Sequence, residues 1–481
     1  MSFSVTQLLE GSGALPSSGV GAIFGVNSDS RRIEPGDVFF ALPGAHAHGN
    51  EFAAEAIARG ALVIVTDHKP KADPGVPVIV VEDVRAAYAR AASRIFAPQP
   101  QIAVAVTGTN GKTSVASFVR QIWQASGLAA SSVGTLGVET SWGLRSGSLT
   151  TPDSRTLHQN LRALKAQGID HVAIEASSHG LEQRRLDGIH FEAAAFTNLS
   201  RDHLDYHVDM EGYRQAKLRL FTDLLVEGGP AIVNVDDPEH EAFMFAALSH
   251  NATLLTVGKE GAYIEIASIE REGYGQRVEV KHVGETISFH LPLTGAFQVS
   301  NALIAAALAM STGVERAAAF AALSELKGAK GRLELVAEHR GSAIFVDYAH
   351  TPDALETALA ALRPYVTGRL IVVFGCGGDR DKGKRPLMGA VAAMSADLVI
   401  VTDDNPRTED AAVIRAEVIE AAPGARENGD RRAAIAEGIG SLGAGDVLLI
   451  AGKGHEDYQI IGTSKTPFSD HEVIHSVLGQ T

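Results

Sequence analysis

Apolar runs of five or six residues recur along this chain, each ended by a polar loop and followed by a stretch with helix-like spacing of apolar residues. In the middle section the runs are Ile102–Val106, His171–Ala176, Ala193–Thr197 and Ala231–Val235, and the helix-like stretches include Ser114–Ala125 and Ser154–Gln167. That alternation predicts a mostly parallel α/β sheet covered by helices. The last section repeats the theme at Ala343–Val346, Leu370–Phe374, Leu398–Thr402 and Val447–Ala451. Shorter runs at Leu62–Thr66 and Val78–Val81 mark an N-terminal module. Ala97-Pro98-Gln99-Pro100-Gln101 and the glycine-rich 327–332 segment read as linkers. Three domains are expected, over residues 1–98, 99–331 and 332–481.

Length agrees, since 481 residues exceed what one compact core serves. A formal net charge of −15 argues against nucleic acid or an anionic membrane as partner, so anionic ligands must meet local basic clusters. One cysteine, Cys376, excludes an internal disulfide and fits a reducing compartment. Met1 to Glu10 shows no basic segment followed by an apolar run, and no apolar stretch is long enough to span a bilayer. A soluble, cytoplasmic protein is expected.

The strongest chemical signal is Gly108-Thr109-Asn110-Gly111-Lys112-Thr113-Ser114, which follows an apolar strand and opens a helix. Consecutive backbone N–H groups, the helix dipole and a lysine together make a phosphate cradle, so ATP is the expected ligand. The strict P-loop spacing wants glycine where Val106 stands. An ordinary strand-to-helix turn is the plainer alternative.

Glu175, at the end of a predicted strand, is a candidate Mg²⁺ ligand beside the Thr113 hydroxyl. The plainer reading is a carboxylate salt-bridged at a sheet edge. In Thr197–His207, His203 and His207 stand four apart, without the His-Glu-x-x-His order of a zinc site, and a second Mg²⁺ suits that loop better. In the last section three strands run into Gly375–Arg380, Asp403–Arg407 and Gly452–Glu456. Loops at equivalent strand ends of a doubly wound sheet meet at one site. Their mixed charges suit an amino acid.

These motifs, with Gly331-Arg332-Leu333-Glu334 and Asp347–Asp353, resemble the Mur ligases, the ATP-dependent amino-acid-adding enzymes of peptidoglycan synthesis. The resemblance covers essentially the whole chain. It implies a small UDP-binding N-terminal domain, a P-loop ATPase-like central domain and a Rossmann-like C-terminal domain, acting as a monomer. Asp404-Asn405-Pro406-Arg407 resembles the form that adds meso-diaminopimelate, rather than L-lysine, to UDP-N-acetylmuramoyl-L-alanyl-D-glutamate. By this resemblance Gly108 to Ser114 hold ATP, with Lys112 at the β- and γ-phosphates, and Asn301, Arg332 and Asp347 contact the nucleotide. Thr113, Glu175, His203 and Lys217 hold Mg²⁺, Lys217 as a carbamylated lysine; from residues alone Lys217 reads as a solvated helix position. Gln298 stands where many relatives carry Asn, and His350 lies close to these positions in sequence.

For the UDP-sugar dipeptide the matching positions are Ser28, Ser30, Gly44, Ala45, His46, Ala47, Thr150, Thr151, Ser177, Gln183 and Arg185; relatives often carry Leu at position 28. For the incoming amino acid they are Arg380, Asp404, Asn405, Pro406, Arg407, Gly452 and Glu456. Alternatives are a lysine-adding member, a folylpolyglutamate synthetase-like ligase, or a nucleotide-gated binding protein without catalysis.

Overall fold

A computed structural model describes residues 2–13, 21–44, 47–147 and 149–479, apart from the side chains of Leu204 and Asp205. The chain forms two compact units: Met1–Ile266 with Val280–Thr286 and Ser300–Ala322, and Ala267–Glu279 with Ile287–Val299 and Leu323–Thr481.

The first unit begins with a parallel four-stranded sheet in the order β1 (Gly25–Asn27), β2 (Asp37–Ala41), β3 (Val63–Thr66), β4 (Val78–Val80). Period-2 alternation divides its residues: Val38, Phe40, Val63 and Val65 pack with the helix Val84–Ile95, while Phe39, Ala41 and Ile64 pack with Ala53 and Ala56. Such strands are buried on both faces, which is why they read as unbroken apolar runs.

The second sheet of this unit is built around β5 (Ile102–Thr107). Its strands are β6 (Ala130–Gly134), β7 (Gly137–Thr140), β8 (Gly143–Arg145), β9 (His171–Glu175), β10 (Ala193–Phe196), β11 (Pro230–Asn234) and β12 (Thr253–Gly258). The order β12-β11-β10-β5-β9-β6-β7-β8 is parallel up to β6 and antiparallel through the β6–β8 hairpins. Val106 pairs with Glu175 and Thr107 with Phe196, so β5, β9 and β10 end together at one sheet edge. The helix Lys112–Ala125 covers the sheet with Val115, Phe118, Val119, Ile122 and Trp123, the i, i+3, i+4, i+7, i+8 set of a single face. β13 (Ile264–Glu272), β14 (Gly275–His282) and β15 (Glu285–Leu291) divide between the two units. No sequence-based element covered them, because charged residues at alternate positions hide their strand character.

The second unit carries β16 (Glu334–His339), β17 (Ser342–Asp347), β18 (Leu370–Phe374), β19 (Leu398–Val401), β20 (Arg426–Glu427) and β21 (Val447–Ala451), in the order β16-β17-β21-β18-β19-β20. Only β16 runs antiparallel. Val372, Phe374 and Leu449 face one core, and Ile371, Val373, Leu448 and Ile450 the other, which makes this a sheet covered on both sides. The carboxyl ends of β17, β18, β19 and β21 share one edge. A hairpin of β22 (Tyr458–Ile461) and β23 (Ser464–Pro467) follows β21.

Arg431 and Asp470, both fully buried, tie the helices Arg431–Gly440 and Asp470–Leu478 together. Two parallel bonds of 2.8 Å join them, and Arg431 Nη2 also donates to the carbonyl of Ala451 at 3.0 Å. Removing one partner leaves the other as an uncompensated buried charge. Arg431→Met is therefore expected to destabilise the protein by about 3–5 kcal/mol, measured by denaturant unfolding followed through the second unit's helices.

Candidate active site

In the first unit the phosphate turn is shaped by what surrounds it. Gly108 has φ +150° and Gly111 φ +86°. A Cβ on Gly108 would lie 1.9 Å from Thr197 Oγ1, and one on Gly111 would lie 2.5 Å from Asn301 Oδ1. The turn therefore interlocks with the loop after β10 and with buried Asn301. Asn198 completes the lock: its Oδ1 accepts the Asn110 N–H at 2.9 Å, its carbonyl accepts the Thr109 N–H at 2.8 Å, and Thr197 Oγ1 donates to the Asn110 carbonyl at 2.6 Å. The N-cap of the following helix is Gly111, without a side-chain hydrogen bond. Its first-turn N–H groups thus face the turn rather than a capping oxygen.

Two lysines converge on one carbonyl of this turn. Lys112 Nζ donates to the carbonyls of Gly108 at 2.8 Å and Thr109 at 2.7 Å, and Lys217 Nζ donates to the same Gly108 carbonyl at 2.7 Å. Lys217 is 1% exposed and lies 4.4 Å from the centre of the Tyr213 ring. Burial, and then the charge of Lys112, push its pKa well below the usual lysine value. A solvated helix position it is not; the helix Met210–Arg219 turns this residue inward.

Glu175 ends β9 with both oxygens engaged. Oε1 accepts the Thr135 N–H at 2.8 Å; Oε2 accepts the hydroxyls of Thr113 and Thr135, each at 3.0 Å. Thr135 Oγ1 also lies 3.0 Å from Thr150 Oγ1. Among the described residues no positive side chain is bonded to this carboxylate, unlike a structural ion pair at a sheet edge. Next to it Thr151 Oγ1 donates to the Glu175 carbonyl at 2.8 Å and accepts from the backbone N–H and hydroxyl of Ser177. Arg185 Nη1 donates to the Thr151 carbonyl at 2.7 Å and Nη2 to Gln183 Oε1 at 2.7 Å, while Gln183 Nε2 donates to the Tyr206 hydroxyl at 2.8 Å.

The 203–207 segment, read from sequence as a polar loop, contains a four-residue helical turn, Leu204–His207. His203 precedes it in the left-handed region (φ +52°), a conformation that costs a non-glycine residue about 1 kcal/mol or more. Its ring meets His179 edge-on at 4.8 Å, and His179 lies 5.3 Å from His207.

In the N-terminal sheet Ser30 is buried and its hydroxyl donates to Glu55 Oε2 at 2.6 Å, Ser28 bonds the Tyr88 hydroxyl, and the Gly44 N–H donates to the Ala47 carbonyl at 3.1 Å. Ala45 and His46 lie outside the described residues. Nearby, His48, Asp67 and His68 bring three potential metal-binding atoms together. Because the Asn50 N–H donates to His48 Nδ1 at 3.1 Å, the proton of the neutral ring sits on Nε2, where it is given to Asp67 Oδ1 at 3.1 Å. His68 Nδ1 meets the same oxygen at 2.6 Å. Burial acts to raise the Asp67 pKa, but the two rings outweigh it and hold the carboxyl below the usual range. The trio is a hydrogen-bonded clamp, since His48 has no proton-free nitrogen left for a cation.

In the second unit the three strand-end loops meet as their sequence suggested. Arg407 (φ +52°) donates from Nη1 to the Gly378 carbonyl at 2.7 Å, and Asn405 Nδ2 donates to Glu456 Oε2 at 3.0 Å. The loops fit so closely that a Cβ on Gly378 would lie 1.9 Å from the Pro406 carbonyl oxygen. Burial, then the charge of Asp404, raise the Glu456 pKa, against the pull of Asn405, Lys453 and Arg407. Gly452, at φ +108°, turns the chain out of β21 into this site, and Arg380 is exposed at its rim. Arg385, wholly buried, pairs with Glu409 and Glu417 and donates to the Gly377 carbonyl at 3.3 Å, which braces the same loops. Cys376 is buried against Met388, Sγ to Sδ 3.6 Å, and burial raises its thiol to about 11, so it packs and stays protonated.

Elsewhere in this unit Asp347 ends β17 and accepts the N–H groups of Leu333 at 2.6 Å and Ala349 at 2.7 Å. Burial raises its pKa, opposed by Arg332, whose guanidinium lies 4.7 Å from the Tyr348 ring centre. Gln298 Nε2 donates to the Arg332 carbonyl at 3.3 Å, and His350 Nδ1 lies 2.9 Å from the Tyr348 carbonyl oxygen.

The roles of Thr135, Asn198, Arg385 and Lys453 escaped sequence reasoning. Thr135 reaches Glu175 only through the β6–β9 pairing, a long-range register with no local signature. Asn198 and Lys453 stood inside segments already singled out, and a polar residue two places beyond a buried strand was the available signal.

Comparison with known proteins gives the same assignment. Three family models match: Mur ligase family, catalytic domain, at residues 22–96; Mur ligase middle domain at 106–309; and Mur ligase, glutamate ligase domain, at 331–454. A Mesorhizobium japonicum protein named UDP-N-acetylmuramoyl-L-alanyl-D-glutamate--2,6-diaminopimelate ligase is 52% identical over 478 residues, 98% of this chain and 99% of that one. A solved structure of a ligase of that name superimposes with a TM-score of 0.74 at 33% identity, covering 100% and 99% of the two chains. Mycobacterium tuberculosis folylpolyglutamate synthase complexed with ADP shares the fold at 18% identity, with a TM-score of 0.63 over 76% of this chain and 91% of its own. The chain belongs to the Mur ligase family.

Proposed function

We propose that this protein is an ATP-dependent, ADP-forming ligase that joins meso-diaminopimelate to the D-Glu γ-carboxylate of UDP-N-acetylmuramoyl-L-alanyl-D-glutamate, a step of peptidoglycan precursor synthesis. The observation that carries the reading is Arg407, held by the Gly378 carbonyl beside Glu456, in a chain that aligns end to end with diaminopimelate ligases. The domain limits 1–98, 99–331 and 332–481 belong to the same proposal. No helix among the described residues is long and apolar enough to cross a membrane.

In this reaction the γ-carboxylate attacks the γ-phosphorus of ATP, giving an acyl phosphate and ADP. The diaminopimelate amine then attacks the acyl carbon, and phosphate leaves from the tetrahedral intermediate. Such chemistry asks for positioning and for cancellation of negative charge. Gly108 to Ser114 would cradle the phosphates, Lys112 would move from the turn carbonyls to the β- and γ-phosphates, and Asn301, Arg332 and Asp347 would contact the nucleotide. Ser28, Ser30, Gly44 to Ala47, Thr150, Thr151, Ser177, Gln183 and Arg185 would hold the UDP-sugar dipeptide. Arg380, Asp404 to Arg407, Gly452 and Glu456 would hold the amino acid.

The residues present fit magnesium. The Thr113 hydroxyl and the Glu175 carboxylate put hard oxygen donors 3.0 Å apart, with no cation among the described residues paired to Glu175. His203 and Lys217 would complete the metal set, and the depressed Lys217 pKa favours the neutral amine that carbamylation requires. When bound, Mg²⁺ neutralises charge on the transferring phosphoryl group.

The test is phosphate release from the purified protein with Mg·ATP and the UDP-dipeptide, comparing meso-diaminopimelate, L-lysine and no amino acid. Release only with diaminopimelate is expected. Release with lysine instead overturns the specificity, and silence in all three arms overturns the ligase reading.

A further inference from the structure

Lys453 is a wholly buried cation that the roles above leave unused. It stands two places beyond β21, after Gly452, and its ammonium lies near three oxygens: Asn405 Oδ1 at 2.9 Å, the Tyr458 carbonyl at 2.9 Å and Asp404 Oδ1 at 3.1 Å. Two of its protons are bonded, to Asn405 and to the Tyr458 carbonyl, and Asp404 Oδ1 lies beside the ammonium as an ion pair. Glu456 Oε2 lies 3.7 Å away and is held by Asn405 Nδ2. The Asn405 side chain and the Asp404 backbone are fixed to the hairpin in turn: the Ile460 N–H donates to Asn405 Oδ1 at 3.0 Å, and Gln459 Nε2 to the Asp404 carbonyl at 2.7 Å.

Within the Lys453 cluster the charges cancel: Lys453 and Arg407 are positive, Asp404 and Glu456 negative, while Arg380 stands exposed at the rim and the Lys384 ammonium is turned to the His350 carbonyl. The far end of diaminopimelate, an ammonium and a carboxylate on one carbon, is neutral as a whole; the far end of lysine is a lone cation.

We propose that Lys453 is a specificity-determining positioning residue: it clamps Asp404 and Glu456 together and cancels one of their charges, so that the pocket accepts a zwitterionic end and rejects a lone ammonium. This rests on the ligase reading above. Without Lys453 the pocket carries a net negative charge and favours the cation. A residue with a purely structural role would lower both substrates alike.

The experiment compares wild type, Lys453→Met and Lys453→Met/Asp404→Asn, with ATP and UDP-dipeptide saturating, and measures kcat and KM for diaminopimelate and for lysine beside thermal melts. One uncompensated charge near the ligand is expected to lower the diaminopimelate-to-lysine ratio of kcat/KM by about 30-fold in the single variant. Most of the change is expected in KM. The double variant, neutral again, is expected to return to within about threefold of the wild-type ratio. An unchanged ratio in Lys453→Met, or an equal fall in both variants, overturns the proposal. If Lys453→Met does not fold, Asp404→Asn alone decides: a pocket with one positive charge in excess is expected to raise the ratio, and an unchanged or lowered ratio overturns the proposal. Wild-type silence with diaminopimelate is a separate outcome, the failure of the ligase reading itself.

Discussion

Lys112→Met is expected to lower kcat/KM for phosphate release by about 10³-fold or more, the scale on which a preorganised cation or oxyanion donor acts in phosphoryl and acyl transfer. In this structure the Lys112 ammonium rests on the carbonyls of Gly108 and Thr109. Those bonds are lost to water at little cost, so the variant should melt within a few degrees of wild type. The methionine keeps the stem that packs along the turn and removes only the charge. The loss should fall on turnover and on the nucleotide, with KM for the amino acid changed less than about threefold. Steady-state kinetics for all three substrates check this, and a variant of near wild-type activity would remove Lys112 from the phosphate site.

Arg407→Ala has the second large effect, confined to the other end of the reaction. A guanidinium matches a carboxylate through two parallel N–H bonds, a match that lysine's terminal ammonium cannot use. Sites built around a polar substrate group discriminate by about 10⁴-fold, because rejecting the group leaves a buried partner unpaired. KM for diaminopimelate should therefore rise by about 10²-fold or more while KM for ATP stays within about twofold. Lysine, which never used the fork, should lose much less. Isothermal titration of the two amino acids separates binding from turnover, and equal losses for both would shift the carboxylate-reading role elsewhere in the loop. Arg407→Lys is expected to behave like the alanine variant, since a point charge does not reproduce the fork.

The sequence disclosed this architecture unevenly, and for physical reasons. Strands of a parallel sheet are buried on both faces, so β5, β18 and β21 stand out as apolar runs and their ends are legible to within a residue. The turn at Gly108–Thr113 is contiguous, and its chemistry can be read from adjacent residues. Lys217 is the opposite case. Nothing within its own helix marks it as buried; its surroundings come from a turn more than a hundred residues earlier, and only the family resemblance singled it out. Thr135, Asn198 and Lys453 likewise owe their roles to register and to neighbouring loops. The β13–β15 strands went unread because exposed glutamates and arginines fill their alternate positions. The helical turn at Leu204–His207 has too few residues to show a period.

A Cβ has no room at Gly108, at Gly111, or at Gly134, where it would lie 2.0 Å from Glu175 Oε1. The consequence concerns inhibitors. A compound lying over these three glycines meets a wall that mutation cannot thicken, because the atoms needed to push it out would first displace Thr197, Asn301 or Glu175. Resistance to such a compound would have to arise at its periphery. A compound anchored on the exposed arginine at the rim of the proposed amino-acid pocket has no such protection.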